Sequence, residues 1–182
     1  MAKVDLSKYN NSWYQPGPLP KRLLWIFIGR VFVNSYLPIP MVLKRVVLRF
    51  FGAKLGKGVI LKPKINIKYP WFLEIGAFSW IGEKVWIDNL GLVKVGANAC
   101  ISQGVLLLSG NHDYKATDFK LRIENIDIED GVWIGAQSIV TQGVKCGSHS
   151  VLGAGSLLSQ SLPENEIWAG NPAKFLRMRE IS

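Results

Sequence analysis

Only two histidines occur in the 182 residues, and one of them stands where an imidazole could meet a ligand. His112 lies in Gly110-Asn111-His112-Asp113, at the mouth of a stretch, Ser109 to Asn125, that interrupts an otherwise regular pattern. Imidazole is the side chain whose unperturbed titration falls near neutrality, so proton transfer is the chemistry such a position offers. His149, in Gly147-Ser148-His149-Ser150, falls at an outward phase of a regular repeat and reads as structural. The two cysteines, Cys100 and Cys146, are too few for a disulfide scaffold; Cys146 falls at an inward aliphatic phase, where a thiol acts as a small hydrophobe. No His or Cys pair has metal-ligand spacing, so no catalytic metal is expected. Neither a Walker loop nor a GxGxxG turn occurs, which leaves NTP and dinucleotide chemistry without support.

What must position His112 is a beat of six. Ile128, Ile134, Val140, Cys146, Leu152 and Leu158 recur at every sixth residue, with Gly or an acid directly after several of them (Glu129, Gly135, Gly147, Gly153). An α-helix has no such period, and a simple strand would not hold Gly at one phase. The pattern is that of a hexapeptide β-helix, with one short strand per repeat and a turn at each corner. The same beat starts near Phe51 (Leu55, Leu61, Ile67) and slips at Lys68–Trp71. It resumes at Ile75, Ile81 and Ile87, slips again at Asp88–Gly91, and continues through Val95, Ile101 and Leu107. At three hexapeptides per triangular turn, about five to six turns are predicted, with 109–125 leaving the coil as a loop.

Charge divides the chain. Residues 1–68 hold 13 Lys/Arg and one acid, Asp5, whereas 69–182 hold 9 Lys/Arg and 12 acids. Residues 1–20 form a proline-rich arm; Lys21–Leu37 and Met41–Phe51 read as helices parted by Pro38 and Pro40. Neither run reaches the roughly 20 uncharged apolar residues a bilayer requires. Aromatic residues flanked by cations over 21–51 fit an interfacial segment as well as helices packed on the coil. The boundaries drawn are 1–54 for arm and helices, 55–162 for the coil with its loop 109–125, and 163–182 for a tail closing in a short helix. The opening residues lack the pattern of a signal peptide, and the cysteine usage fits a reducing cytoplasm, with peripheral contact at the inner membrane surface open.

Several motifs then carry a resemblance: Phe51-Gly52-Ala53-Lys54, Tyr69-Pro70-Trp71, Ile101-Ser102-Gln103, Gly110-Asn111-His112-Asp113, Trp133-Ile134-Gly135-Ala136 and Gly170-Asn171-Pro172-Ala173-Lys174. Over about residues 20–180 the chain resembles the hexapeptide-repeat acyltransferases, most of all the O-acetyltransferase branch of exopolysaccharide (colanic-acid-type) synthesis. The resemblance implies an all-β, left-handed parallel β-helix and acetyl-CoA as acyl donor. Handedness comes from the resemblance alone, because ordinary parallel crossovers are right-handed. It makes His112 the general base for an acceptor hydroxyl, with Asp113 or another acid or backbone carbonyl fixing its tautomer. The Ala136 N–H becomes the oxyanion donor. Ala154, Ser159 and Gln160 are expected along the cofactor arm, and Lys174 and Arg177 at its phosphates. Gln160 stands where relatives often carry Lys.

The acceptor is read as a saccharide, with Asp88, Asn89 and Asn111 among the groups able to grip hydroxyls. A homotrimer with sites between subunits is implied by the resemblance. A non-catalytic β-helix scaffold or oligomerisation protein remains the alternative. A γ-carbonic-anhydrase-like subunit would need three zinc histidines, which the chain does not supply. Nucleic-acid binding finds no dense basic patch, since the N-terminal cations alternate with large aliphatics.

Overall fold

The computed structural model of the chain describes residues 2–181. Two helices, α1 (Leu19–Phe32) and α2 (Met41–Phe50), precede a parallel β-helix. Prolines stand immediately before or inside their first turns, at Pro18, Pro20 and Pro40, where a missing N–H costs nothing. The coil has three sheets. The first stacks Lys54–Leu55, Leu73–Ile75, Val93–Val95, Ile126–Ile128 and Lys145–Cys146. The second stacks Ile60–Leu61, Trp80–Ile81, Cys100–Ile101, Trp133–Ile134 and Val151–Leu152, and the third Asn66–Ile67, Trp86–Asp88, Leu106–Leu108, Ile139–Val140 and Leu157–Leu158. These make five full turns, and a sixth begins at Leu162, which bridges to Cys146.

Register explains the beat and its slips. Trp133 pairs with Val151 and Ile139 with Leu157, an eighteen-residue turn, whereas Ile60 pairs with Trp80 and Asn66 with Trp86, a twenty-residue one. The extra residues of the early turns form corners such as the 3-10 turn Pro70–Phe72. Inward aliphatics stack in columns: Leu61, Ile81, Ile101, Ile134 and Leu152 are each 0% exposed. Each contributes on the order of 1.5–3 kcal/mol of burial. Glycine after an inward residue is required by stacking, because a Cβ at Gly135 would lie 2.5 Å from the Ala154 nitrogen of the next turn.

The helices serve the open edge of this coil. First-turn N–H groups donate to the second turn, as Gly56 to Ile75, Lys62 to Ile81 and Lys68 to Ile87. The matching first-turn carbonyls have no turn beneath them to supply a donor. Arg49 reaches the Leu55 carbonyl (2.9 Å), Arg45 that of Val59 (3.2 Å), Lys44 that of Leu61 (3.5 Å) and the Trp25 indole that of Ile67 (2.9 Å). An edge that would otherwise recruit another strand is thereby capped. Lys44 is buried by this contact, and burial lowers its pKa. Trp25, Val33, Leu48 and Phe51 share the coil's own core.

The tail departs from expectation. The described residues of the tail, 163–181, do not close in a helix: Glu166–Gly170 and Ala173–Met178 form an antiparallel hairpin that extends the second sheet beyond Val151–Leu152. The last turn also presents an unpaired edge, and covering it outweighs the weak local preference of this segment for a helix.

Candidate active site

The excursion folds as a hairpin. Gly110–His112 pairs antiparallel with Leu121–Ile123, placing His112 opposite Leu121. The His112 Nδ1 lies 2.9 Å from the Phe119 carbonyl oxygen. A carbonyl only accepts, so Nδ1 carries the proton and Nε2 keeps the lone pair of the neutral ring. The imidazole is stacked on the Phe119 ring (centroids 4.4 Å apart, planes within 7°) and leans against Tyr9 at 5.6 Å. Phe119 holds this place with φ +49°, a left-handed conformation that a bulky residue adopts at a cost of order 1–3 kcal/mol.

Asp113 is not the orienting group. Its carboxylate accepts from the Lys115 N–H at 3.1 Å and faces Arg122 at 3.8 Å, bracing the hairpin tip. Neighbouring residues on a strand point to opposite faces, which carries Asp113 away from the ring. The backbone carbonyl seven residues on, brought back by the turn, meets the ring nitrogen instead.

His112 lines a cavity of about 530 Å³ whose outer wall is the N-terminal arm. Asp5 N–H donates to the Thr117 carbonyl (2.8 Å), Tyr14 OH to that of Leu90 (2.7 Å) and the Trp71 indole to that of Pro16 (3.0 Å). These ties lay residues 5–16 across the hairpin and the Tyr69–Trp71 corner. Burial, with Tyr69 and Asp88 nearby, pushes the Tyr14 phenol well above its ordinary range, so it stays a donor. No local signal in residues 1–20 marks them as part of a site; only the tertiary contacts do.

The residues expected to hold an acceptor are placed differently. Asn89 is 0% exposed and spent on backbone, accepting from the Tyr69 N–H and donating to the Tyr69 and Phe72 carbonyls. It is a corner clamp. Asn111 is exposed and its side-chain oxygen accepts from the His112 N–H (2.8 Å). Asp88 pairs with Lys68 at 2.8 Å and lines a second cavity of about 420 Å³ beneath α1. None of the three lines the His112 cavity.

The expected cofactor positions gather at the far end of the coil. Ala154, Ser159 and Gln160 are exposed at its last corners. A Cβ at Gly155 (φ +68°) would meet nothing within 4 Å, so the surface there is open. Lys174 pairs with Ala169 and Arg177 with Ile167, across a bulge that inserts an extra residue between them. Residues three apart would ordinarily face opposite ways; the bulge puts both cations at one phase of the sheet. Both are exposed, and among the described residues neither has an acidic partner within ion-pair distance. An open corner of small residues and two exposed cations therefore both lie at the last turn of the coil and its closing hairpin. The Ala136 N–H makes no hydrogen bond among the described residues, yet Ala136 does not line the His112 cavity. Described residues include no cluster of His, Cys, Asp and Glu able to hold a metal.

His149 is a corner residue (φ +60°) whose ring sits over Gly131, while its carbonyl accepts from Arg179. Cys146 is 0% exposed in the first column, and burial pushes its thiol up to about 12.

No protein-family model matches the chain. Over 161 residues it is 37% identical to a protein of Escherichia coli (strain K12) named as the colanic acid biosynthesis acetyltransferase WcaF, covering 87% of this chain and 86% of that one. The hexapeptide-repeat-containing acetyltransferase of Vibrio cholerae O1 biovar eltor, complexed with acetyl coenzyme A, superposes with a TM-score of 0.80 at 22% identity, over 89% of this chain and 88% of the other. A galactoside acetyltransferase in complex with coenzyme A superposes with a TM-score of 0.78 at 25% identity, over 88% and 82% of the two chains.

Proposed function

This chain belongs to the hexapeptide-repeat acetyltransferases, with their left-handed β-helix, and on that premise we propose that it acetylates a hydroxyl of a saccharide with His112 as general base and acetyl-CoA as donor. The observation that carries the reading is the 2.9 Å contact between the His112 Nδ1 and the Phe119 carbonyl, with the same ring lining the arm-covered cavity. Held this way, Nε2 is free to accept the proton of an acceptor hydroxyl. Nδ1–H stays on the carbonyl, which holds the ring in place while the proton moves. The saccharide acceptor draws support from the galactoside acetyltransferase among the similar structures.

Acetyl-CoA, when bound, supplies an activated acyl carbon. Lys174 and Arg177 would hold its phosphates, the open corner at Ala154 and Gly155 its arm, and Ser159 and Gln160 the adjoining stretch. The partnerless Ala136 N–H is available to an oxygen that gains negative charge.

Because His112 and Ala136 share no cavity within one chain, we assign the complete site to a homotrimer. The outward rows support this. On the first sheet they read Lys54, Glu74, Lys94, Asp127 and Lys145, whereas the second sheet presents Trp80 and Trp133, and the third Trp86, Leu106, Ile139 and Leu157. Two apolar faces on a three-sided prism favour association. Analytical ultracentrifugation of Trp80→Lys tests it; a trimer undisturbed by that charge would count against these faces.

Peripheral membrane contact is the remaining proposal. Phe27 and Phe50 are 73% and 79% exposed, beside Leu23, Val31, Val42 and Val46. The α2 cations face the coil edge instead, so attraction would be apolar and little affected by salt. No helix of the described residues is long and apolar enough to cross a membrane. Flotation with anionic liposomes should be lost in Phe27→Ser/Phe50→Ser, and binding that survives this change sinks the idea.

Acetyl transfer is tested by thiol release from acetyl-CoA across a panel of sugars and sugar nucleotides, comparing wild type with His112→Ala. Turnover unchanged by the substitution would remove the base assignment.

A further inference from the structure

The His112 cavity is lined by hydroxyls and amides of the arm (Tyr9, Asn11, Ser12, Gln15), and the charged side chains among its described lining are Arg22 and Lys68. No carboxylate among the described residues lines it. Acceptance of a neutral polyol's hydroxyl protons would fall here to neutral oxygens, while two cations stand in the wall. Lys68 is balanced by Asp88 at 2.8 Å, but Asp88 lies in the neighbouring cavity, beneath α1. Arg22 has no acidic partner among the described residues, and its Nε–H is buried with no hydrogen-bond acceptor. An orphan guanidinium N–H is costly, and an oxyanion brought in by a ligand would supply the acceptor it lacks. Arg22, Lys68 and Tyr69 line both cavities, and so stand at the junction between them.

Resting on the reading of His112 as the base, we infer that Arg22, supported by Lys68, is a binding site for an anionic group on the acceptor. The acceptor is an acidic saccharide, phosphate- or carboxylate-bearing, whose reactive hydroxyl reaches His112 while its charge is held at the wall shared by the two cavities. Arg22 provides a planar fork suited to either oxyanion, which a lysine would not reproduce. Phosphate and carboxylate share this chemistry, and the choice of probe separates them.

Matched acceptors provide the test: free glucose and galactose, their 1-phosphates and their uronic acids, assayed by thiol release with the full chain. The expected result is a kcat/KM at least about tenfold higher for one acidic form than for the free hexose, carried by KM. Arg22→Gln should shrink that ratio about tenfold, and Arg22→Lys should keep part of it. Preference for the 1-phosphates identifies a phosphate site, and preference for the uronates a carboxylate site. Calorimetric binding of inorganic pyrophosphate gives a readout that needs no turnover: about tenfold weaker in Arg22→Gln, and intact in His112→Ala. Equal pyrophosphate affinity in wild type and Arg22→Gln overturns the inference. So does a loss confined to Lys174→Gln/Arg177→Gln, or an acidic preference untouched by Arg22→Gln. Failure of the base assignment is separate: it appears as undiminished transfer by His112→Ala, whatever the acceptor's charge.

Discussion

The His112 Nδ1 and the Phe119 carbonyl oxygen lie 2.9 Å apart across the turn of a hairpin that leaves the coil. The same residue, Phe119, stacks its ring on the imidazole 4.4 Å away. One residue therefore fixes both the tautomer and the plane of the candidate base. Replacing His112 by Ala should lower kcat by about 10²- to 10⁴-fold, the usual range for a lost proton-transfer group. Acetyl-CoA affinity, measured by calorimetry, should stay within about twofold, because the positions proposed for the cofactor do not line the His112 cavity.

Phe119→Ala keeps the carbonyl but removes the stack. We expect a loss of about 1 kcal/mol in stability by urea denaturation and a fall in kcat exceeding the change in either KM. Asp113→Asn breaks only its 3.8 Å pairing with Arg122 and should cost less than about 1 kcal/mol. A drop in kcat with Asp113→Asn as large as with His112→Ala would return the orienting role to the acid.

The bulge that brings Lys174 and Arg177 to one phase of the terminal hairpin predicts a shared task. Lys174→Gln/Arg177→Gln should raise the KM for acetyl-CoA about tenfold with kcat nearly unchanged. The wild-type KM should rise with ionic strength and the variant's much less. Identical salt profiles would dissociate the pair from the phosphates.

Packing makes a plainer prediction. Ile134 is 0% exposed in the second-sheet column, and Ile134→Ala should cost about 2–5 kcal/mol, read from the denaturant midpoint at constant m. Cys146, with its thiol pushed up to about 12 by burial, should resist aromatic disulfide reagents at pH 8 until the chain unfolds.

Acid should weaken the coil at one identifiable corner. The Glu129 carboxyl is held down to about 2, first by Lys145 and then by the Ser148 hydroxyl and N–H. A lowered folded-state pKa means stability that is present above the ordinary carboxyl range, near 4.3, and is lost as pH falls toward 2. The ion pair is largely open to solvent, so the effect should stay below about 1 kcal/mol. Glu129→Gln should be less stable than wild type at pH 7 and close to it near pH 2, as followed by thermal melts.

Local information determined the coil. An inward aliphatic at every sixth position and Gly where the next turn presses close are demands each repeat makes on its own residues, so Ile128 to Leu158 declare the architecture without any distant contact. The motif around His112 was legible for the same reason: a long insertion in a regular repeat can only leave the coil. Tertiary structure alone decided what surrounds the imidazole. The Phe119 carbonyl reaches it because a hairpin closes, and Arg22 and the arm reach it because residues 5–16 cross the hairpin and the Tyr69–Trp71 corner, contacts for which sequence spacing carries no signal. Asn89 looked like a sugar ligand and is a corner clamp, and the tail looked helical and is a hairpin. In both places an unpaired backbone overrode the local reading, because a buried or edge peptide group must find a partner wherever the fold supplies one.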